Sequence, residues 1–242
     1  LPGEWGVSPP LTVSAPQLIV TKTGPATVGR TLNLGQWTQY GVDVRNAGLA
    51  TAWDVTLRDR LPDGPTGGMC DTPPEILSAR VFAADGVTPV AGKGPLVAGV
   101  DFTANYAPAP TCELTLALNT PAASIDAGQR LVVTYRSRLD GDSQNGVTLT
   151  NVVAATQWFN DAAANPNRVA YTRTLTNGTP GVQDHEDAHT ATVNLHGYFY
   201  EKSVANVTRN TNPARTATPG DTLRYTLRLQ ATTVALDNMR FY

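Results

Sequence analysis

Val55-Thr56-Leu57-Arg58-Asp59-Arg60-Leu61 is the stretch on which the fold turns. Its apolar side chains recur at every second position, the period of a half-buried β-strand. Asp59 shares that parity with Val55, Leu57 and Leu61, so the pattern carries a carboxylate onto the apolar face. Two other stretches repeat the anomaly. In Leu18-Ile19-Val20-Thr21-Lys22 the lysine is in phase with Leu18 and Val20. In Leu149-Thr150-Asn151-Val152-Val153 the asparagine is in phase with Leu149 and Val153. Successive strand side chains point to opposite faces, so one core is predicted to hold an ammonium, a carboxylate and a carboxamide.

Burying such groups is costly unless they satisfy one another. One outcome is an unreacted Lys22–Asp59–Asn151 hydrogen-bond network that specifies the core. The other is chemical. Desolvation strips the lysine of its proton more easily and helps the carboxyl keep its own. A neutral Lys22 amine then attacks the Asn151 amide carbon while protonated Asp59 polarises the carbonyl. Loss of ammonia leaves a covalent Lys22–Asn151 cross-link. Asp43 and Asp54 are alternative acids, but their parity places them with solvent-facing neighbours.

Composition agrees with an all-β reading. The chain has 242 residues, 16% charged and 7% aromatic, and is rich in Thr, Val, Ala, Gly and Pro. These are strand and turn formers, and the length suits one large β domain or one domain plus part of another. A formal net charge of −2 offers no basic footprint for nucleic acid and no polybasic membrane patch. No apolar run approaches the roughly 20 residues that span a bilayer, so no direct membrane insertion is expected. No signal-peptide pattern opens the chain, so a processed start or an excised segment is expected. Cys70 and Cys112 both sit in Pro-rich loop contexts. A loop-to-loop disulfide formed in an oxidising compartment is the favoured reading, and two unpaired thiols are the alternative.

Residues 1–16 hold four prolines without periodicity and read as an extended arm or linker. Strand signals follow at Leu18–Lys22, Gln39–Arg45, Trp53–Asp59, Ile76–Ala83, Leu114–Leu118, Arg130–Arg138, Thr148–Trp158, Arg168–Leu175 and Ala188–Leu195. Clusters such as Pro62-Asp63-Gly64-Pro65 and Asp140-Gly141-Asp142 separate them. Short strands punctuated by turn residues predict an immunoglobulin-like β-sandwich. After Leu195 the pattern restarts. Tyr198-Phe199-Tyr200-Glu201-Lys202 repeats the opening strand, with Lys202 in phase with Tyr198 and Tyr200. Pro219–Leu229 likewise repeats Leu34–Val44, aligning Tyr225 with Tyr40. An offset of about 180 positions marks a repeat of domain size. The expected organisation is an arm over 1–16, a sandwich over 17–196, and the start of a second, incomplete unit over 197–242. Aligning Val55 and Leu57 with Met239 and Phe241 puts the second acid one residue past Tyr242.

These motifs resemble a known family. Leu-Ile-Val-Thr-Lys, then Gly-x-x-x-x-Tyr-x-Val-x-Val-x-Asn-Ala-Gly over 35–48, then Val-Thr-Leu-Arg-Asp-Arg-Leu-Pro over 55–62 look like the DUF11 repeat. That repeat is an immunoglobulin-like module strung along bacterial and archaeal surface proteins. Leu-Thr-Asn-Val-Val-Ala-Ala-Thr over 149–156 matches its closing strand. The stretch from Arg168 to Val193 resembles the longer variant of isopeptide-forming fimbrial proteins. The resemblance implies that Lys22 bonds Asn151 beside Asp59, with Lys202 the equivalent lysine of the next repeat. Gly35-Gln36 departs from the usual Gly-Asp, and a long 63–113 insertion carries the cysteines.

Other chemistry is thin. His185, Asp187 and His189 share a side on a strand and are the one candidate for a weak divalent site, against a solvated lead-in to the last strand. Asp140-Gly-Asp142-Ser-Gln-Asn145 resembles a calcium loop but is out of register for one, and a polar turn is the plainer reading. No hydrolase, zinc or phosphate-loop motif is present, so no enzyme activity beyond self-cross-linking, no metal and no cofactor are expected. The expected function is a structural module of an extracellular stalk, fibre or adhesin that meets neighbouring repeats or copies end to end. The alternative is an adhesin domain that binds a glycan or protein through the 63–113 insertion, with Trp53, Phe102 and Tyr106 as contacts.

Overall fold

The computed structural model describes residues 14–30, 37–182, 184–195, 198–231 and 240. Its strands are β1 (Leu18–Thr23), β2 (Thr27–Arg30), β3 (Trp37–Asn46), β4 (Trp53–Arg60), β5 (Glu75–Phe82), β6 (Phe102–Ala107), β7 (Glu113–Leu118), β8 (Arg130–Arg138), β9 (Thr148–Phe159), β10 (Ala170–Thr172), β11 (Glu186–Leu195), β12 (Tyr198–Asn206) and β13 (Leu223–Ala231). A four-stranded sheet runs β1-β3-β8-β5. A larger one runs β2-β11-β9-β4-β7-β6, with β10 paired to β9. The strand pairings are antiparallel apart from β11 with β2, which is parallel.

The period-two pattern explains the two layers. Val20, Val42, Val44, Leu131 and Val133 project from the smaller sheet. They meet Val55, Leu57, Leu116, Val153 and Val193 from the larger, all buried in one core. The result is the expected immunoglobulin-like β-sandwich, built from two antiparallel-dominated sheets packed face to face.

Three local features add to or depart from the sequence reading. The 63–113 insertion is built into the sandwich and supplies an edge strand to each sheet, β5, expected over Ile76–Ala83, beside β8 and β6 beside β7. Its apolar Ala79, Val81 and Phe102 reach the core, which fastens it to the sandwich. The strand expected over Arg168–Leu175 shortens to β10; the Arg173 N–H still meets Thr156 O at 2.8 Å in the β10–β9 register, and beyond it Thr174 O and the Thr176 N–H turn to His185 and Glu186. β2 and β6 were not expected, since neither has a sustained alternation. The arm expected over 1–16 falls largely outside the described residues; at its described end Ala15 O accepts the Leu49 N–H at 3.0 Å.

β12 and β13 form a separate two-stranded sheet. Lys202 stands opposite Leu227, as Lys22 stands opposite Val42. Tyr225 precedes Leu227 by two residues, as Tyr40 precedes Val42, so the sequence repeat is also a repeat of strand register. Lys202 is nevertheless exposed, with Nζ 5.1 Å from the centroid of the Tyr225 ring. Tyr200, Tyr225, Leu227 and Leu229 on the same face are exposed too. The proposed equivalence of Met239 and Phe241 lies outside the described residues.

Candidate functional site

β1 holds Lys22 from both edges. On one side it pairs with β3. On the other, the Val20 N–H donates to Asp184 O at 2.7 Å and the Lys22 N–H donates to Asp187 Oδ2 at 2.8 Å. Asp59 sits on a central strand, opposite Leu114 of β7 and Val153 of β9. The register irregularity of β4 lies between Trp53 and Leu57, so the parity that turns Asp59 inward is regular where it matters. Asn151 projects from β9, opposite His189 of β11.

The three side chains converge. Lys22 Nζ is ion-paired with Asp59 Oδ2, and the two side chains are 0% and 3% exposed. Lys22 Nζ also donates to the Tyr135 hydroxyl at 2.6 Å, and Asn151 Nδ2 donates to that hydroxyl at 2.7 Å. The amine and the carboxamide are therefore separated by one shared oxygen. The lysine lies over aromatic faces, 4.5 Å from the Tyr135 centroid and 5.5 Å from that of Tyr40, and the two rings stack at 5.7 Å.

Burial governs the electrostatics. It pushes the Lys22 ammonium below its ordinary range and the Asp59 carboxyl above its own; each partner's charge works the other way and is the smaller effect. The pair is driven toward amine and carboxylic acid. Asp59 Oδ1 and Asn151 Oδ1 are buried without a hydrogen-bond partner. Both are acceptors while the carboxylate is charged, so a proton on Asp59 gives the cluster the donor it lacks. An amine and a carboxyl whose charged forms burial disfavours, beside a buried carboxamide, are the ingredients of amide exchange.

Sequence reasoning missed two members. Tyr135 shares parity with Leu131 and Val133 and reads as plain core, although a buried phenol requires a partner for its hydroxyl. Asp187 reads as part of a solvated lead-in, yet it is buried and accepts the N–H groups of Lys22, Gly181 and Ala188. The alternative acids face outward as expected: Asp43 takes the Arg130 Nε–H at 3.0 Å, and Asp54 pairs with Arg168.

Cys70 and Cys112 form a disulfide with Cα atoms 5.2 Å apart, both buried. Asp63 lies beside the two sulfurs, but sulfurs bonded to each other offer no thiolate to a metal. The weak divalent site is not assembled: His185 Nε2 contacts Thr174 O at 3.0 Å and His189 Nε2 contacts Pro25 O at 2.9 Å, while Asp187 is occupied by backbone. In the calcium-like loop, Asp140 accepts the Cys70 and Asp71 N–H groups and Asn145 accepts that of Leu195. The aromatic contact set for a ligand is also corrected. Phe102 is in the core, Tyr106 donates its hydroxyl to Cys70 O at 2.6 Å, and Trp53 is half-buried. The open groove of about 560 Å³ near Arg60, Asp63 and Thr150 has no aromatic wall. Among the described residues no helix is long and apolar enough to cross a membrane.

No protein-family profile and no curated protein matches the chain, so the DUF11 resemblance stands on the quoted motifs. Solved structures share a loose likeness. The collagen-binding domain of a Staphylococcus aureus adhesin is 10% identical, with 72% of this chain and 96% of that one covered and a TM-score of 0.34. The full-length major pilin of Corynebacterium diphtheriae is 12% identical, with 77% and 37% covered and a TM-score of 0.38. The major pilin subunit of Bacillus cereus is 10% identical, with 90% and 56% covered and a TM-score of 0.39. Likeness at this level does not reach to function.

Proposed function

We propose that the chain is a structural repeat module of an extracellular stalk, fibre or adhesin, locked by an intramolecular Lys22–Asn151 isopeptide bond and a disulfide. The observation that carries this reading is the shared hydroxyl: Lys22 Nζ and Asn151 Nδ2 both touch Tyr135, beside a buried Asp59. Residues 17–196 form one repeat and 197–242 open the next, with Lys202 at the position equivalent to Lys22. Neighbouring repeats or copies meet end to end. A disulfide fits an oxidising, extracellular setting. The module turns over no substrate; its one reaction is on itself.

A bond between β1 and β9 joins the two layers of the sandwich covalently. Unfolding then cannot lengthen the chain between residues 22 and 151, which is what a load-bearing spacer requires. Intact-mass spectrometry tests the reading. The protein should weigh one ammonia less than its sequence, beyond the two hydrogens of the disulfide, and Asp59→Ala should restore the ammonia. A wild-type protein of full sequence mass would overturn the proposal.

A further inference from the structure

Forming the isopeptide bond requires more than a nucleophile and an acid. The attacking amine must shed a proton, and the departing nitrogen must gain one to leave as ammonia. Direct transfer from Nζ to Nδ2 within the tetrahedral adduct would pass through a strained four-membered ring. A hydroxyl bonded to both nitrogens removes that strain, and the structure holds one. Tyr135 Oη lies 2.6 Å from Lys22 Nζ and 2.7 Å from Asn151 Nδ2, inside the reach required of an acid–base catalyst. Tyr40, the other phenol beside the lysine, turns its hydroxyl to Met69 Sδ at 3.3 Å and takes no part.

We infer that Tyr135 is the proton relay of this reaction, a catalytic residue whose hydroxyl touches both the attacking and the leaving nitrogen. The inference rests on the cross-link proposed above. The Nζ lone pair attacks Asn151 Cγ, and the carbonyl π pair moves to Oδ1, which takes the proton of Asp59. Nζ, now cationic, passes a proton to Tyr135 Oη as the phenol gives its own proton to Nδ2. The Cγ–Nδ2 bond breaks, ammonia departs, the carbonyl re-forms, and its proton returns to Asp59. One C–N bond is made and one broken, one proton travels from Nζ to Nδ2, and Tyr135 and Asp59 end as they began. The phenol exchanges protons in a single concerted step and never becomes a buried phenolate, which its sealed position would disfavour.

Tyr135→Phe tests this, since it keeps the ring that stacks on Tyr40 and covers the lysine and removes only the hydroxyl. Full-length wild-type and variant chains made by cell-free synthesis are sampled over time by intact mass. Near-UV circular dichroism and closure of the disulfide report folding. The variant should fold and lose ammonia at least ~10²-fold more slowly, the low end of acid–base contributions. A variant that loses ammonia as fast as wild type overturns the relay and leaves the cross-link standing. A wild type that never loses ammonia overturns both. Should the variant fail to fold, the wild type decides alone. Two protons move together in the relay, so its rate should bow downward against the deuterium fraction of the solvent, and a straight line would overturn the assignment.

Discussion

Lys22 and Lys202 hold the same register position in two separate strand pairs, yet one side chain is sealed and the other lies open. The difference is the second layer. Over β1 and β3, the larger sheet supplies Asp59 and Asn151; over β12 and β13, no described strand supplies either. Register alone therefore does not activate the lysine. Burial beneath a facing sheet does.

That contrast makes a labelling prediction. The chain has three lysines, Lys22, Lys93 and Lys202. With an amine-reactive reagent applied after full denaturation, Lys93 and Lys202 should be modified and Lys22 should not, because the proposed bond makes its nitrogen an amide. In Asp59→Ala all three should react. Peptide mapping reads the result, and a modified Lys22 in the denatured wild type would count against the bond.

Asp187 holds the Lys22 backbone as well as two N–H groups of its own neighbourhood. Asp187→Ala leaves the buried Lys22 and Ala188 N–H groups unmet, which should cost about 2 kcal/mol of unfolding free energy, within the range for orphaned buried groups. Denaturant melts in the Asp59→Ala background, where no cross-link interferes, measure that cost. In the otherwise native chain the same substitution should also slow ammonia loss, since the lysine loses a tether. Unchanged melts would show that water replaces the carboxylate without penalty.

Much of this was legible in advance, and the exceptions share a cause. Period-two parity is a local property, so it located Lys22, Asp59 and Asn151 on inward faces and kept Asp43 and Asp54 outside. The Cys70–Cys112 disulfide followed from composition and context. Parity does not say what meets an inward residue from the opposite sheet. Nothing in the parity of Tyr135 therefore singles it out from Leu131 and Val133, although its hydroxyl joins the cluster. For the same reason parity alone does not reveal that Asp187, in a stretch that reads as a solvated lead-in, is buried and holds backbone N–H groups. β2 escaped notice because Thr27-Val28-Gly29-Arg30 has one large apolar residue, and its pairing with β11 is what makes it a strand.

Asp140 gives the protein a pH dependence of defined sign. Burial, with help from Asp71 and Asp142, raises its carboxyl from 3.8 to about 6 against the pull of the Cys70 and Asp71 N–H groups. Between those values the folded protein keeps a proton that the unfolded chain releases. The contribution is fully present below 3.8 and is lost as pH rises through about 6. Other carboxyls shift the opposite way, Asp221 to about 2 among them, so the test is a difference. The melting temperature of wild type relative to Asp140→Asn should fall as pH rises through that window. A flat difference would mean that Asp140 titrates alike in both states.

The proposed cross-link and the disulfide would together set how far the module can stretch. Tension applied across the sandwich enters through β1 and leaves through β11. A Lys22–Asn151 bond carries that load straight to β9, so residues 23–150 stay out of the path, and the Cys70–Cys112 loop lies inside this shielded stretch. Only residues 152–195 can then extend, ~15 nm at roughly 3.5 Å per residue. Asp59→Ala returns residues 23–150 to the load path while the disulfide still withholds its own loop, for a release of ~46 nm by the same measure. Single-molecule pulling under oxidising conditions distinguishes the two lengths. A wild-type module that released the longer length would show that no bond joins the layers, however close Lys22 and Asn151 lie.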